Sequence, residues 1–210
     1  NDDGGPVLHE MEDIATSRQE MKTLVDGLPA SGWTPLSETL YEAGQYFAGR
    51  NVVYGNGFTV ESVPESRVGG NANSNVYETP IDFACQKNYI VLLTDGEPTQ
   101  DRGQIENRVE GLPGFAEAAG PQCERIPGAN NDDGKCLDEM AGYLRRHDLS
   151  TQFFGDQNVT TFTIGFTIDL PLLAETARKG GGGYYLADDT STLTSALTKI
   201  VVSILDDAST

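Results

Sequence analysis

The chain has 210 residues and carries 14 Lys and Arg against 32 Asp and Glu, a formal charge of -18 at pH 7. That length suits one large domain with insertions, and the negative excess repels nucleic acid and anionic membrane surfaces. No stretch approaches the roughly 20 apolar residues of a membrane-spanning helix, so direct membrane insertion is not expected. The acidity is spread along the chain and reads first as solubility.

The opening residues, NDDGGPVLHE, are not a signal peptide; for an exported protein the signal lies upstream. Ser17 to Leu28 follows as an amphipathic helix. Ser17 and Glu20 make a capping-box pattern, and Met21, Leu24, Val25 and Leu28 share one face. A second helix is expected with Thr34 at its N-cap and Pro35 at its first position, burying Leu36, Leu40, Ala43 and Phe47. Residues 49–88 turn to Gly, Asn, Ser and Val without helical period, which predicts an irregular or hairpin-bearing insertion.

The apolar run Tyr89 to Leu93 then enters the acidic turn Thr94-Asp95-Gly96. A short Ile/Val/Leu run stopped by Asp-Gly reads as a buried parallel strand, and ligands of open α/β sheets bind outside the carboxyl ends of such strands. Residues 100–135 read as a second, loop-like insertion. Within it Cys123 and Cys136 bracket a polar, turn-rich segment that a disulfide would stabilise, implying an oxidising compartment. Cys85 is left as a buried thiol or a cysteine with a partner outside the chain.

Leu137 to His147 predicts a short helix with Met140, Tyr143 and Leu144 inward. Val159 to Phe166 predicts a strand, and Leu170 to Lys179 a helix that ends in the glycine run 180–183. That run is expected to be a flexible turn before the strand Tyr184 to Ala187. A final helix buries Leu193, Leu197, Ile200, Val201, Ile204 and Leu205 on one stripe. Strands alternating with helices argue for a mostly parallel α/β sheet, Rossmann-like, with helices on both faces.

A threonine opening one helix and Asp95 closing a strand can face one crevice, and both offer the hard oxygens that Mg²⁺ accepts. The segments SGWTPLSETLYEA, CQKNYIVLLTDGEPT, QNVTTFTIGF and GGGGYYLADDTSTL resemble a von Willebrand factor A domain, and more narrowly the PilC/PilY family of type IV pilus tip proteins. The resemblance covers most of residues 1–210 as one domain and implies a metal-ion-dependent adhesion site. In it Thr34 and Asp95 are the second-loop and third-loop ligands of a divalent cation, Mg²⁺ first, with Ca²⁺ or Mn²⁺ as alternatives. The first-loop motif, Asp-x-Ser-x-Ser after an apolar strand, is not in this sequence. The resemblance therefore implies an A domain incomplete at its N-terminus, with weak or no metal binding by these residues alone and an exposed strand edge where the first strand would pair.

By the same resemblance the protein is a non-enzymatic adhesion and pilus-assembly domain, exported through the periplasm to the pilus tip or cell surface. Its partners would be minor pilins, other pilus tip proteins or a host surface receptor. Two alternatives compete: a haloacid dehalogenase-like phosphatase with Asp95 as nucleophile, Lys179 and the Asp188, Asp189 pair in support, and an A domain of an intracellular ATP-driven machine. The remaining motifs have plainer readings. Glu97 lines the rim, Asn130 to Lys135 is a solvated turn without EF-hand spacing, and Asn158-Val159-Thr160 is a chance glycosylation match. His9 and His147 stand alone, with no Cys or His at ligand spacing.

Overall fold

The Ile, Val and Leu run after Asn88 becomes the first strand of a parallel sheet. In a computed structural model that describes residues 4–29, 32–56, 60–125 and 132–209, the strands are β1 (Asn88–Thr94), β2 (Val159–Phe166) and β3 (Gly181–Ala187). They pair in the order β1-β2-β3, all parallel, with Leu92 opposite Thr163 and Thr163 opposite Tyr184. Parallel pairing requires crossovers, and the helices supply them. The helices are α1 (Ile14–Asp26), α2 (Leu36–Phe47), α3 (Gln104–Glu110), α4 (Phe115–Ala118), α5 (Leu137–Arg146), α6 (Pro171–Gly180) and α7 (Thr190–Ala208).

Side-chain alternation on the strands divides the interior in two. On one face Leu92 and Val159 pack with Leu40 of α2, Met140 and Leu144 of α5 and Leu173 of α6. On the other, Phe162, Ile164 and Ala187 meet Ala196 and Ile200 of α7. Helices thus lie on both faces, as the alternating pattern predicted. The α6 side of β2 carries threonines because α6 approaches closely: Thr163 Oγ1 donates to the Leu173 carbonyl at 2.8 Å, and a Cβ at Gly180 would meet Thr161 Cβ at 2.8 Å.

The glycine run is a correction. Gly181, at φ 75°, ends α6 in the left-handed conformation, and Gly181 to Gly183 already belong to β3. A Cβ at Gly182 would come within 2.3 Å of the Thr161 carbonyl oxygen, so close approach to β2 selects glycine there, not flexibility. The expected burial of two helices also fails. On α1, Met21 and Val25 are exposed, as is Leu28 just past its end, and only Ser17 of the helix is buried; the cap is Asp13, whose side chain accepts from Ala15, not Ser17 with Glu20. On α7, Leu197, Val201 and Leu205 are exposed, because the three-strand sheet is wide enough to cover only the Ala196 and Ile200 side.

Both insertions are more ordered than their composition suggests. Residues 100–135 contain α3 and α4, which bury Ile105, Val109 and Phe115. Among the described residues of 49–88 there are three isolated antiparallel bridges and two 3-10 turns around polar anchors. Glu42 of α2 is fully buried and accepts from the amides of Val53, Tyr54 and Gly55 and from Tyr77 Oη. Buried Arg67 donates to the carbonyls of Ser62, Gly55, Ala72 and Ser74 and to Asn56 Oδ1. These charged groups satisfy the loop's backbone in place of strand pairing, beside a small apolar cluster of Val52 and Tyr77 with Tyr46 of α2.

No strand among the described residues pairs with the outer edge of β1, and beside that edge Val91 and Leu93 are 39% and 48% exposed. No described helix is long and apolar enough to cross a membrane.

Candidate metal site at the carboxyl ends of the strands

Asp95 follows β1 directly, at the carboxyl end of the parallel sheet, and is exposed. Its turn is held from within: Thr94 Oγ1 donates to the Gly96 carbonyl at 3.0 Å. The loop that opens α2 lies against this turn. Thr34 donates its amide to Thr99 Oγ1 at 2.8 Å and its carbonyl accepts from the Thr99 amide at 3.1 Å, so two segments 65 residues apart are latched together. A Cβ on Gly96 would lie 3.9 Å from Thr34 Oγ1, which places the hydroxyl over the residue next to Asp95.

Thr34 was expected to cap α2, and it does not. The N-cap position is Pro35, without a side-chain cap, and the amides of Ser37 and Glu38 are taken instead by the Asp101 carboxylate at 2.7 and 3.2 Å. The Thr34 hydroxyl and the Asp95 carboxylate have no hydrogen-bond or ion-pair partner among the described residues. A free hydroxyl and a free carboxylate on adjoining loops fit the hard-oxygen donor set of a Mg²⁺-class ion, as two of the several oxygens it needs. Glu97 is exposed at the rim of the same turn.

Asp101 is the residue supporting this loop that the sequence did not mark. It is completely buried, and burial raises its carboxyl from the ordinary 3.8 to about 6 against the opposing pull of the Ser37 and Glu38 amides. The native state therefore holds this proton more tightly than the unfolded chain. Stability from this source is fully present below about pH 3.8 and is lost as pH rises through about 6. Burial, then the Asp138 charge, also raises Glu139, with the same sign. We expect the urea midpoint to fall between pH 4.5 and pH 7, by the equivalent of about 2 kcal/mol for Asp101. Asp101→Asn should remove the part centred near pH 5, and an unchanged slope in that variant would show that Asp101 titrates normally.

The other sequence candidates are dispersed. Lys179 binds Asp138 Oδ2 at 2.5 Å and Glu139 Oε1 at 2.9 Å. It precedes β3 whereas Asp95 follows β1, so the parallel strands put them at opposite ends of the sheet. Asp189 caps α7 through the Thr192 amide. Cys123 and Cys136 form a disulfide with Cα atoms 5.0 Å apart, both cysteines buried, and Cys136 occupies the N-cap position of α5. Cys85, one of whose expected states was a buried thiol, is free and exposed. Of the turn at residues 130–135, Asn130 and Asn131 lie outside the described residues; Asp133 accepts from the Asp101 amide at 2.8 Å and so supports the α2 cap. His147 stacks on Tyr143 at 4.5 Å, and His9 is not alone, since Glu12 and Glu20 lie beside it. Comparison with protein-family models, with curated proteins and with solved structures finds no match to this chain.

Proposed function

We propose that the chain is a von Willebrand factor A-like adhesion and assembly domain of the PilC/PilY type, binding proteins and not transforming substrates. The observation that carries this reading is the pairing of Thr34 and Asp95. Two oxygen groups that local structure does not use are held on adjoining loops at the carboxyl end of a parallel sheet, the end where open α/β sheets take ligands. With the cap of α2 assigned to Asp101, the helix-cap explanation of Thr34 loses its support.

On this reading the remaining donors come from an Asp-x-Ser-x-Ser loop on a strand that pairs with the unpaired edge of β1. An acidic group of the partner completes the coordination. Minor pilins, other tip proteins or a host surface receptor are the proposed partners, at the pilus tip or cell surface after export, and the disulfide suits that oxidising route. The phosphatase alternative is weakened by the position of Lys179.

Calorimetric titration of the native full-length polypeptide with Mg²⁺ tests the proposal. One Mg²⁺ per chain is expected, lost in Asp95→Ala and strongly weakened in Thr34→Ala with the urea midpoint within about 1 kcal/mol of the parent. A full-length protein that is indifferent to divalent ions would remove the adhesion-site assignment, and phosphatase turnover lost in Asp95→Asn would replace it with the enzyme.

A further inference from the structure

A second cluster of metal-ligating groups lies far from Asp95 in sequence and uses none of its residues. His9 Nδ1 is 2.6 Å from the Glu10 carbonyl oxygen. A carbonyl can only accept, so this contact puts the ring proton on Nδ1 and, in the neutral imidazole, leaves the Nε2 lone pair on the opposite side. Nε2 faces Glu12 Oε1 at 3.4 Å and Glu20 Oε2 at 3.9 Å. In that neutral form a lone pair and two carboxylates converge, and a cation between them relieves their repulsion.

The spacing suits one. Bonds of about 2.0–2.2 Å in a tetrahedral arrangement hold donor atoms roughly 3.3–3.6 Å apart, and the three donor atoms here all lie within 4.8 Å of one another. They line a cavity of about 340 Å³ shared with Glu10 and Glu65, so the surroundings are strongly negative. The imidazole is mostly buried, with its side chain 13% exposed, and its Nδ1 hydrogen bond to a backbone carbonyl fixes the ring in the way metal-bound histidines are commonly held.

We propose that His9, Glu12 and Glu20 form a binding site for a Zn²⁺-class divalent cation. One imidazole nitrogen and two carboxylates are a borderline, three-ligand set that selects Zn²⁺ over Mg²⁺ or Ca²⁺, with the fourth position open to water. The site joins the segment before α1 to α1 itself. Since Ser17 is the single buried residue of that helix, an ion held by Glu20 would supply the anchorage that apolar packing does not.

Zn²⁺ itself is the probe, titrated into metal-stripped protein carrying Cys85→Ser so that the exposed thiol does not compete. One Zn²⁺ per chain is expected, with slowed amide exchange across α1. His9→Ala and the surface change Glu20→Gln should each weaken it by about tenfold or more; Asp95→Ala should leave it unchanged, which separates this site from the one proposed for Mg²⁺. Glu20→Gln keeps the test sound if His9→Ala disturbs folding, because Glu20 is exposed. Non-saturable Zn²⁺ uptake, or an affinity that neither substitution alters, would reduce the cluster to an ion pair of a protonated histidine and overturn the proposal.

Discussion

Glu42→Ala is expected to lower the unfolding free energy by about 4 kcal/mol, the largest effect of any single substitution considered for this protein. Glu42 is fully buried on α2 and its two carboxylate oxygens accept four hydrogen bonds: from the Val53, Tyr54 and Gly55 amides at 3.0, 2.9 and 2.9 Å and from Tyr77 Oη at 2.6 Å. Removing the acceptor leaves the Gly55 amide and Tyr77 hydroxyl in a place water does not readily enter, with the half-buried Val53 and Tyr54 amides beside them, and each buried unsatisfied donor costs on the order of 1–3 kcal/mol. Local opening of the segment recovers part of that, which is why the sum is not reached. Urea unfolding measures the global loss, and hydrogen exchange at residues 53–55 should rise even where the core remains protected. Glu42→Gln should fall between the two, since its single carbonyl oxygen replaces a carboxylate while its NH₂ meets donors. A loss below about 1 kcal/mol in Glu42→Ala would mean that the insertion is held by its other contacts, Arg67 first.

Replacing both Cys123 and Cys136 with Ser is expected to cost about 3 kcal/mol, because a cross-link spanning 13 positions removes that much conformational freedom from the unfolded chain. The native state gives this loop other support. The Cys123 amide donates to Glu110 Oε1 at 2.9 Å, and Cys136 lies in the core beside Leu137 and Met140. The fold should therefore survive the double replacement with a lower urea midpoint and an unchanged denaturant dependence of the native baseline. The buried position adds a second expectation: the bridge should resist reductant until the protein is partly unfolded. Equal midpoints for the parent and the double variant would show that the loop closes without the bridge.

The sheet was legible because its signal is local. β2 spans the residues read from β-branched and aromatic alternation, Val159–Phe166, and β1 differs from its expected run by one residue at each end. Helices α5 and α6 likewise follow their periodicity within a residue. What periodicity could not report is which apolar stripe finds something to cover it. Met21 and Val25 on α1 with Leu28 after it, and Leu197, Val201 and Leu205 on α7, have the right spacing and remain exposed, since burial depends on how wide the sheet is and which strand pairs where.

The candidate site divides in the same way. Thr34 and Asp95 stood out by residue type and by the elements beside them, and the structure adds that their loops touch through Thr99. The displacement of Thr34 from the capping role by Asp101 had no sequence signal, because a cap supplied from 64 positions away follows no local rule. Glu12 was accessible in principle, at i+3 from His9, whereas Glu20 reaches that histidine only through the packing of α1.

The sequence by itself determined the secondary structure of the sheet region, the parallel α/β class and the cysteine pair, since each depends on residues near one another in the chain or on a count too small to allow many pairings. Only the tertiary structure decided how charge is used: Asp101 capping α2, Glu42 and Arg67 holding the backbone of an insertion, and His9 facing two carboxylates. The physical reason is that a buried ionised group is tolerable only where several donors or acceptors converge on it, and that convergence is set by the folded chain in three dimensions.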